Sequence, residues 1–193
     1  MLPQMSRRIP TLQTERLIIR ELTMDDLEAI NTILNQSFVS EMSVSERQRW
    51  LQWTVLGYEM FAMLEQPHYG ERAVTLKETG EIIGAVGIVP YQDSFNQVTA
   101  FKRPPNAPAS AEVGLFWAIA PSYQRNGYAS EAARTLVEYL FKHEKLGRII
   151  ATTGYENVAS QKVMQKIGMT VQQLEEPHPP DQFVVGVLEN QVI

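Results

Sequence analysis

The feature that most constrains this chain is a strand–helix–strand alternation in its second half. "AEVGLFWAIAP" (111–121) is an apolar run closed by a proline and reads as a buried strand. "NGYASEAARTLVEYLFKHEKLG" (126–147) reads as a helix with Gly147 as its stop signal, and "RIIATTG" (148–154) as a second buried strand. Two such strands joined through a helix lie parallel in one sheet, and ligands tend to enter at that kind of crossover.

The rest of the chain must fit around this unit. "ERLIIREL" (15–22) reads as a strand, and "TMDDLEAINTILNQS" (23–37) as a helix N-capped by Thr23, with Asp25 and Asp26 at the positive end of its dipole. A second helix spans 43–66. Ser43 with Glu46 fits a capping box, Pro67 ends it, and Trp50, Trp53, Val55 and Leu56 give it a broad apolar side. Residues 69–91 form a hairpin about "ETGE", where Gly80 suits the turn. Residues 92–110 are proline-rich and aperiodic, too long for an ordinary hairpin loop. A short helix (156–169) ends at Gly168, and "TVQQLEE" and "DQFVVGVLE" close the chain as strands separated by "PHPPD". The expected fold is α+β, or mixed α/β: a mostly antiparallel twisted sheet of about seven strands with one parallel pair, and about four helices. All 193 residues are expected to form one domain, with 1–10 as a flexible tail.

Composition excludes several classes. Charged residues are 20% and the net charge is −5, without the basic excess that phosphate neutralisation demands of a nucleic-acid binder. There is no cysteine, hence no disulfide and no thiolate nucleophile. His68, His143 and His178 are far apart, which argues against a metal site. "MLPQMSRRIP" lacks the apolar run of a signal peptide, and "IIGAVGIVP" is too short to span a bilayer. The expectation is a cytoplasmic protein without nucleic-acid or membrane partners.

The polar loop "PSYQRNGYASEA" (121–132) is where chemistry enters. A helix that opens directly from a strand presents unpaired backbone N–H groups, an anion site suited to phosphate or pyrophosphate. Gly127 permits close backbone approach and Arg125 adds charge. The loop lacks the Gly-Lys-Ser/Thr ending of a Walker A motif and the three glycines of a Rossmann fingerprint. By spacing alone it is either such an anion cradle or a tight connection.

The run Gln124-Arg125-Asn126-Gly127-Tyr128-Ala129 resembles the Gln/Arg-x-x-Gly-x-Gly/Ala loop of the GNAT acyltransferases. "TERLIIREL", "YASEAARTLVEYLF" and "ENVASQKVMQKIGM" resemble further segments of the branch typified by ribosomal-protein N-terminal acetyltransferases, in the same order, so the likeness runs from about residue 11 to 190. It implies a GNAT-like fold whose parallel strands splay, and an N-acetyltransferase using acetyl-CoA and an amine acceptor, without a metal. It implies that Gln124, Arg125, Asn126, Gly127, Tyr128, Ala129 and Ser130 hold the pyrophosphate. Trp117, Ala118 and Ile119 would pair with the pantetheine arm, and Asn157 would hydrogen-bond its amide. A backbone N–H of the 111–120 strand would stabilise the oxyanion.

Two positions depart from the family pattern. Met164 stands where many members carry an acidic tyrosine. Ser160, one turn earlier, takes that role by the resemblance, or is a small residue that lets the helix approach the ligand. Glu112 lies about two residues further from the loop than the branch's usual glutamate but, by the strand period, on the same face. It is the candidate general base, with an ion-pair or substrate-ligand role as the alternative.

Other residues have plainer readings. Trp50, Trp53 and Tyr58 read as core before acceptor cleft, and Lys102 and Arg103 as solvated loop charges before ligands of an acidic group. His143 suits a helix C-terminus. Segment 92–110 reads as a lid over the acceptor or a dimer contact, and with the closing strands is where a homodimer would form. Against the enzyme stands a non-catalytic acyl-CoA-binding or protein-interaction module that retains the fold.

Overall fold

The structure, a computed structural model, describes residues 8–38, 41–66, 69–175 and 184–191. The expected Pro67 stop, the "PHPPD" turn, His68, His178 and most of the N-terminal tail lie outside the described residues. The strands are β1 (Leu12–Gln13), β2 (Leu17–Glu21), β3 (Gly70–Leu76), β4 (Ile82–Asp93), β5 (Ser110–Ile119), β6 (Arg148–Thr153), β7 (Thr170–Gln173) and β8 (Val184–Glu189). The helices are α1 (Leu27–Ser37), α2 (Val44–Met63), α3 (Tyr128–Tyr139) and α4 (Val158–Lys166). The fold is α+β, with eight strands in the sheet order β1-β2-β3-β4-β5-β6-β8-β7. The added strand is β1, too short to read from sequence, which pairs Leu12 with Ile19. By its packing the chain divides into two compact units.

The first unit comprises 1–88 and 116–136. Its strands β1 to β4 pair antiparallel, with Ile19 opposite Val74 and Ala73 opposite Ala85. Leu22, Ile30, Leu34, Leu51, Ala73, Ala85 and Ala118 form a core beneath α1 and α2. A 3-10 turn, Met24–Asp26, precedes α1. Asp26 does more than complement a dipole: it is buried, accepts from the Thr23 N–H (2.8 Å), and pairs through both oxygens with Arg20 (2.7 and 2.9 Å). Ser43 and Glu46 cap α2 reciprocally, as expected (Ser43 N–H to Glu46 2.9 Å; Glu46 N–H to Ser43 Oγ 3.3 Å).

The buried side of α2 differs from the expected one. It is Arg47, Leu51, Thr54 and Tyr58, a 4-3-4 spacing. Trp50 packs half-buried at its margin, while Trp53 and Leu56 are exposed, Trp53 by 61%. Polar Arg47 and Thr54 occupy core-facing positions: Asn35 accepts from Arg47 Nη2 at 3.1 Å, which makes that burial tolerable, whereas Thr54 Oγ1 is buried without a hydrogen-bond partner among the described residues.

The second unit comprises 89–115 and 137–193. Strands β5 and β6 run parallel, paired at Gly114 and Ile150, and β8 lies antiparallel between β6 and β7. Phe95, Val98, Ile150, Leu174, Val185 and Val187 make its core. Segment 92–110 is therefore partly a core element. Phe95 stacks on Phe101 (4.4 Å, 7°), and Gln172 clamps the segment by accepting from Thr99 N–H (2.8 Å) and donating to Gln97 carbonyl (2.6 Å).

Two helix ends contrast. Gly168 (φ +95°) closes α4 as expected, with Met169 N–H bonding Met164 carbonyl at 3.0 Å. Gly147 does not close α3. A π-helical turn, Leu140–Glu144, follows α3, and Lys145 takes the left-handed conformation (φ +56°). Asn190 Nδ2 donates to the carbonyls of Leu146 (2.9 Å) and Phe141 (3.3 Å). The Gly147 carbonyl accepts from Asn190 N–H (2.9 Å), so this glycine already belongs to the sheet register. No helix among the described residues is long and apolar enough to cross a membrane.

Candidate functional site

In the first unit, β5 delivers the chain to the loop. Ala120 N–H bonds Ile83 carbonyl (2.9 Å), and Pro121–Tyr123 form a 3-10 turn. Gln124 is extended, Arg125 is left-handed (φ +65°) and so is Gly127 (φ +83°). Left-handed residues at two positions so close together let the loop turn tightly into α3. Glu131 N–H to Gly127 carbonyl (3.0 Å) is the first rung of α3. The N–H groups of Tyr128, Ala129 and Ser130 precede the ladder and are available to a ligand.

The loop side chains brace the loop. Gln124 Nε2 donates to Ile119 carbonyl (3.0 Å), and Asn126 Nδ2 to the carbonyls of Tyr123 (3.2 Å) and Gln124 (3.1 Å). Gln124, Arg125 and Asn126 are exposed, whereas Gly127 to Ser130 are half-buried. Tyr123 donates to Glu81 (2.6 Å), a bond that pushes its phenol up and keeps it protonated.

Sequence reasoning missed a cluster at the start of α3. Arg16 pairs with Glu131 through Nη2 (2.5 Å) and Nε (2.8 Å), and lies over the Tyr128 ring at 4.4 Å. Thr14 donates to the other oxygen of Glu131 (2.5 Å). Burial raises the Glu131 carboxyl, but Thr14 and Arg16 outweigh it and hold it below the usual range. A Cβ on Gly127 would stand 3.7 Å from Arg16 Nη2. An acidic residue in a first helical turn is too common to announce a partner 115 residues away.

Also in this unit, Ala118 and Ile119 are buried and Trp117 is half-buried. A Cβ on Gly84 would meet Ala118 carbonyl oxygen at 2.3 Å, so β4 lies tightly against this stretch of β5. Tyr58 is core: its hydroxyl accepts from Leu22 N–H (3.0 Å) and donates to Glu71 carbonyl (2.6 Å).

In the second unit, Asn157 caps α4, its Oδ1 accepting from Ser160 N–H at 3.1 Å. This brings Asn157 and Ser160 together and leaves Asn157 Nδ2 and Ser160 Oγ without protein partners among the described residues. Met164 is fully buried, and a Cβ on Gly186 would meet its sulfur at 3.1 Å. A tyrosine hydroxyl there would need a partner in that apolar site.

Glu112 pairs with Arg148, Nε to Oε2 at 3.4 Å, its side chain 15% exposed. Burial pushes the Glu112 carboxyl up, and Arg148 pulls it partly back. Arg103 bonds Ser110 Oγ (2.5 Å) and Pro108 carbonyl (2.6 Å) within its own segment, Lys102 is left-handed, and His143 stacks on Tyr139 at 4.7 Å. Among the described residues no group of three or more His, Cys, Asp or Glu could hold a metal ion.

The chain is similar to known proteins over most of its length. The sequence matches the family model described as acetyltransferase (GNAT) domain over residues 16–170. It is similar to YnaD of Bacillus subtilis (strain 168), named an uncharacterized N-acetyltransferase: 33% identical over 162 residues, 82% of this chain and 81% of that one. Among solved structures it resembles an acetyltransferase from Agrobacterium tumefaciens str. C58, with TM-score 0.69, 25% identity, and 94% and 95% of the two chains covered. At 15% identity it shares its fold with RimL, a ribosomal L7/L12 alpha-N-protein acetyltransferase solved in complex with coenzyme A (TM-score 0.61; 90% and 93% covered).

Proposed function

Because this chain belongs to the GNAT acetyltransferase family, we propose that it transfers the acetyl group of acetyl-CoA to a primary amine, of a protein N-terminus or a small molecule. The observation that carries this reading is the 124–130 loop. Its left-handed Arg125 and Gly127 and the open first turn of α3 suit a pyrophosphate held by backbone N–H groups. Trp117, Ala118 and Ile119 would pair by backbone with the pantetheine arm, and Asn157 Nδ2, left free by its cap, would bond a pantetheine amide.

Acetyl-CoA supplies a thioester. The amine nitrogen forms the new C–N bond as the C–S bond breaks, with no covalent enzyme intermediate. Glu112, through water, would take the proton the amine sheds, a role helped by the burial that raises its carboxyl. Ser160 Oγ would donate to the leaving thiolate. A backbone N–H of β5 would stabilise the oxyanion. A non-catalytic acyl-CoA-binding module is the second reading. What favours it is Glu112 held in an ion pair and Met164 buried at the family's tyrosine position.

The test is calorimetric titration of the purified protein with acetyl-CoA, beside Gly127→Glu. The variant places a carboxylate and a strained backbone at φ +83°. Micromolar binding, abolished in the variant while its melting curve stays cooperative, is expected, followed by CoA release with an accepted amine. Absent binding to the native protein would overturn the coenzyme reading. Binding without release across N-terminal peptides and small amines would favour the module.

A further inference from the structure

The second unit assembles a cluster around Glu112 that the proposed chemistry has not yet used. Arg148, the first residue of β6, meets three elements. Its Nε lies 3.4 Å from Glu112 on β5, its Nη1 lies 3.5 Å from Glu189 on β8, and its guanidinium lies 4.0 Å over the ring of Phe101 from segment 92–110. Phe101 is itself stacked on Phe95, which is 2% exposed, so the ring is anchored in the core. Arg148 Nε is buried and makes no hydrogen bond of good geometry, so the Glu112 contact is one of charge and leaves the carboxylate oxygens able to accept from another group.

We infer that Arg148 is a positioning residue for Glu112, and that Phe101 fixes Arg148 in that place, so that segment 92–110 tunes the general base from behind. This rests on the reading of Glu112 as base. The groups that face Glu112 are Arg148 from β6, Glu189 from β8 and Arg103 from segment 92–110. Two are cations that favour the ionised carboxylate, and one is an anion that disfavours it. Removing Arg148 takes away one of the two cations and leaves the opposing charge of Glu189 in place, so the carboxyl moves upward. Phe101 acts by geometry: a ring over the guanidinium allows it little tilt, and a branched aliphatic chain in its place would let it swing toward exposed Glu189.

The experiment is the pH dependence of kcat/KM with one acceptor throughout, so that the acceptor's own ionisation is common to every curve. The set is wild type, Glu112→Gln, Arg148→Met, Arg148→Lys and Phe101→Leu, each with a thermal melt. Glu112→Gln is expected to lower kcat by about 100-fold or more, with acetyl-CoA binding nearly unchanged. Arg148→Met is expected to move the acidic limb upward by about one pH unit, Phe101→Leu in the same direction by less, and Arg148→Lys to restore most of it. If Glu112→Gln abolishes turnover but the limb stays within roughly 0.2 unit in Arg148→Met or Phe101→Leu, the positioning inference is wrong and the base assignment stands. If Glu112→Gln turns over normally, the base assignment itself has failed. Arg148→Lys and Phe101→Leu keep the question answerable should Arg148→Met not fold.

Discussion

Gly84 offers a sharp test of how β4 is built against β5. An added Cβ would lie 2.3 Å from Ala118 carbonyl oxygen, 2.6 Å from Ile119 Cδ1 and 3.2 Å from Ile119 Cα. The Ile119 methyl can rotate away, but the carbonyl cannot. Ordinary contact begins near 3.4 Å, so β4 and β5 would have to part locally by about 1 Å (3.4 minus 2.3). An opening of that size stretches the neighbouring Ala120 N–H to Ile83 bond, now 2.9 Å, beyond hydrogen-bonding distance. Overpacking costs about 1–3 kcal/mol and an orphaned buried backbone pair about 1–3 kcal/mol, against about 0.4–1 kcal/mol gained from the stiffer unfolded chain. The net expectation for Gly84→Ala is a loss of about 2–4 kcal/mol. With a urea dependence of roughly 2 kcal/mol per molar, the unfolding midpoint falls by about 1–2 M. Gly147→Ala is the matched control: nothing lies within 4 Å of its added Cβ and its φ is not left-handed. It should be neutral, or stabilising by up to about 1 kcal/mol. If the two alanine variants unfold within about 0.5 kcal/mol of one another, the close approach of β4 to β5 is not what Gly84 is there for.

Asp26→Asn should cost about 2 kcal/mol at pH 7, because it removes charge-assisted bonds to Arg20 and Thr23 from a buried site. Burial raises the Asp26 carboxyl, but Arg20 and Thr23 outweigh it and hold it below its ordinary value. A depressed carboxylate stabilises above its unfolded pKa of about 3.9, and that contribution is lost as pH falls through the lower folded value. The gap between wild type and variant in urea should therefore narrow below about pH 4, and a gap that widened there would reverse the sign argued here. On α2, Leu51→Ala, at a fully buried position, should cost about 2–5 kcal/mol, whereas Trp53→Ala, at a position 61% exposed, should stay within about 0.5 kcal/mol in the same assay. Equal losses would restore the broad aromatic side as the packed one.

What could be read in advance was what the chain decides within one or two turns of itself. Ser43 with Glu46 and the stop at Gly168 are local geometry, and each stands where its spacing placed it. The unpaired N–H groups that open α3 were legible for the same reason, since they follow from where the helix starts rather than from side chains that must meet from afar. The misreadings have the opposite origin. The face of α2 was assigned by size and apolarity, but its buried row includes Arg47, which Asn35 and the Trp50 ring make tolerable. Gly147 looked like a stop until Asn190 claimed its carbonyl for the sheet. Segment 92–110 looked like an unpatterned loop because Phe95, Val98 and Phe101, though three apart, are too few among its prolines and polar residues to announce a helix or a strand. Phe95 and Val98 fill a core with residues of β6 and β8, and Phe101 packs against it. The same holds for the candidate site. Glu112 was legible as a carboxylate on β5, yet its proton affinity depends on Arg148 and Glu189, 36 and 77 residues further along. A residue's place in the chain can nominate it for chemistry, but the charges that fix its proton affinity arrive only when the sheet brings distant strands side by side.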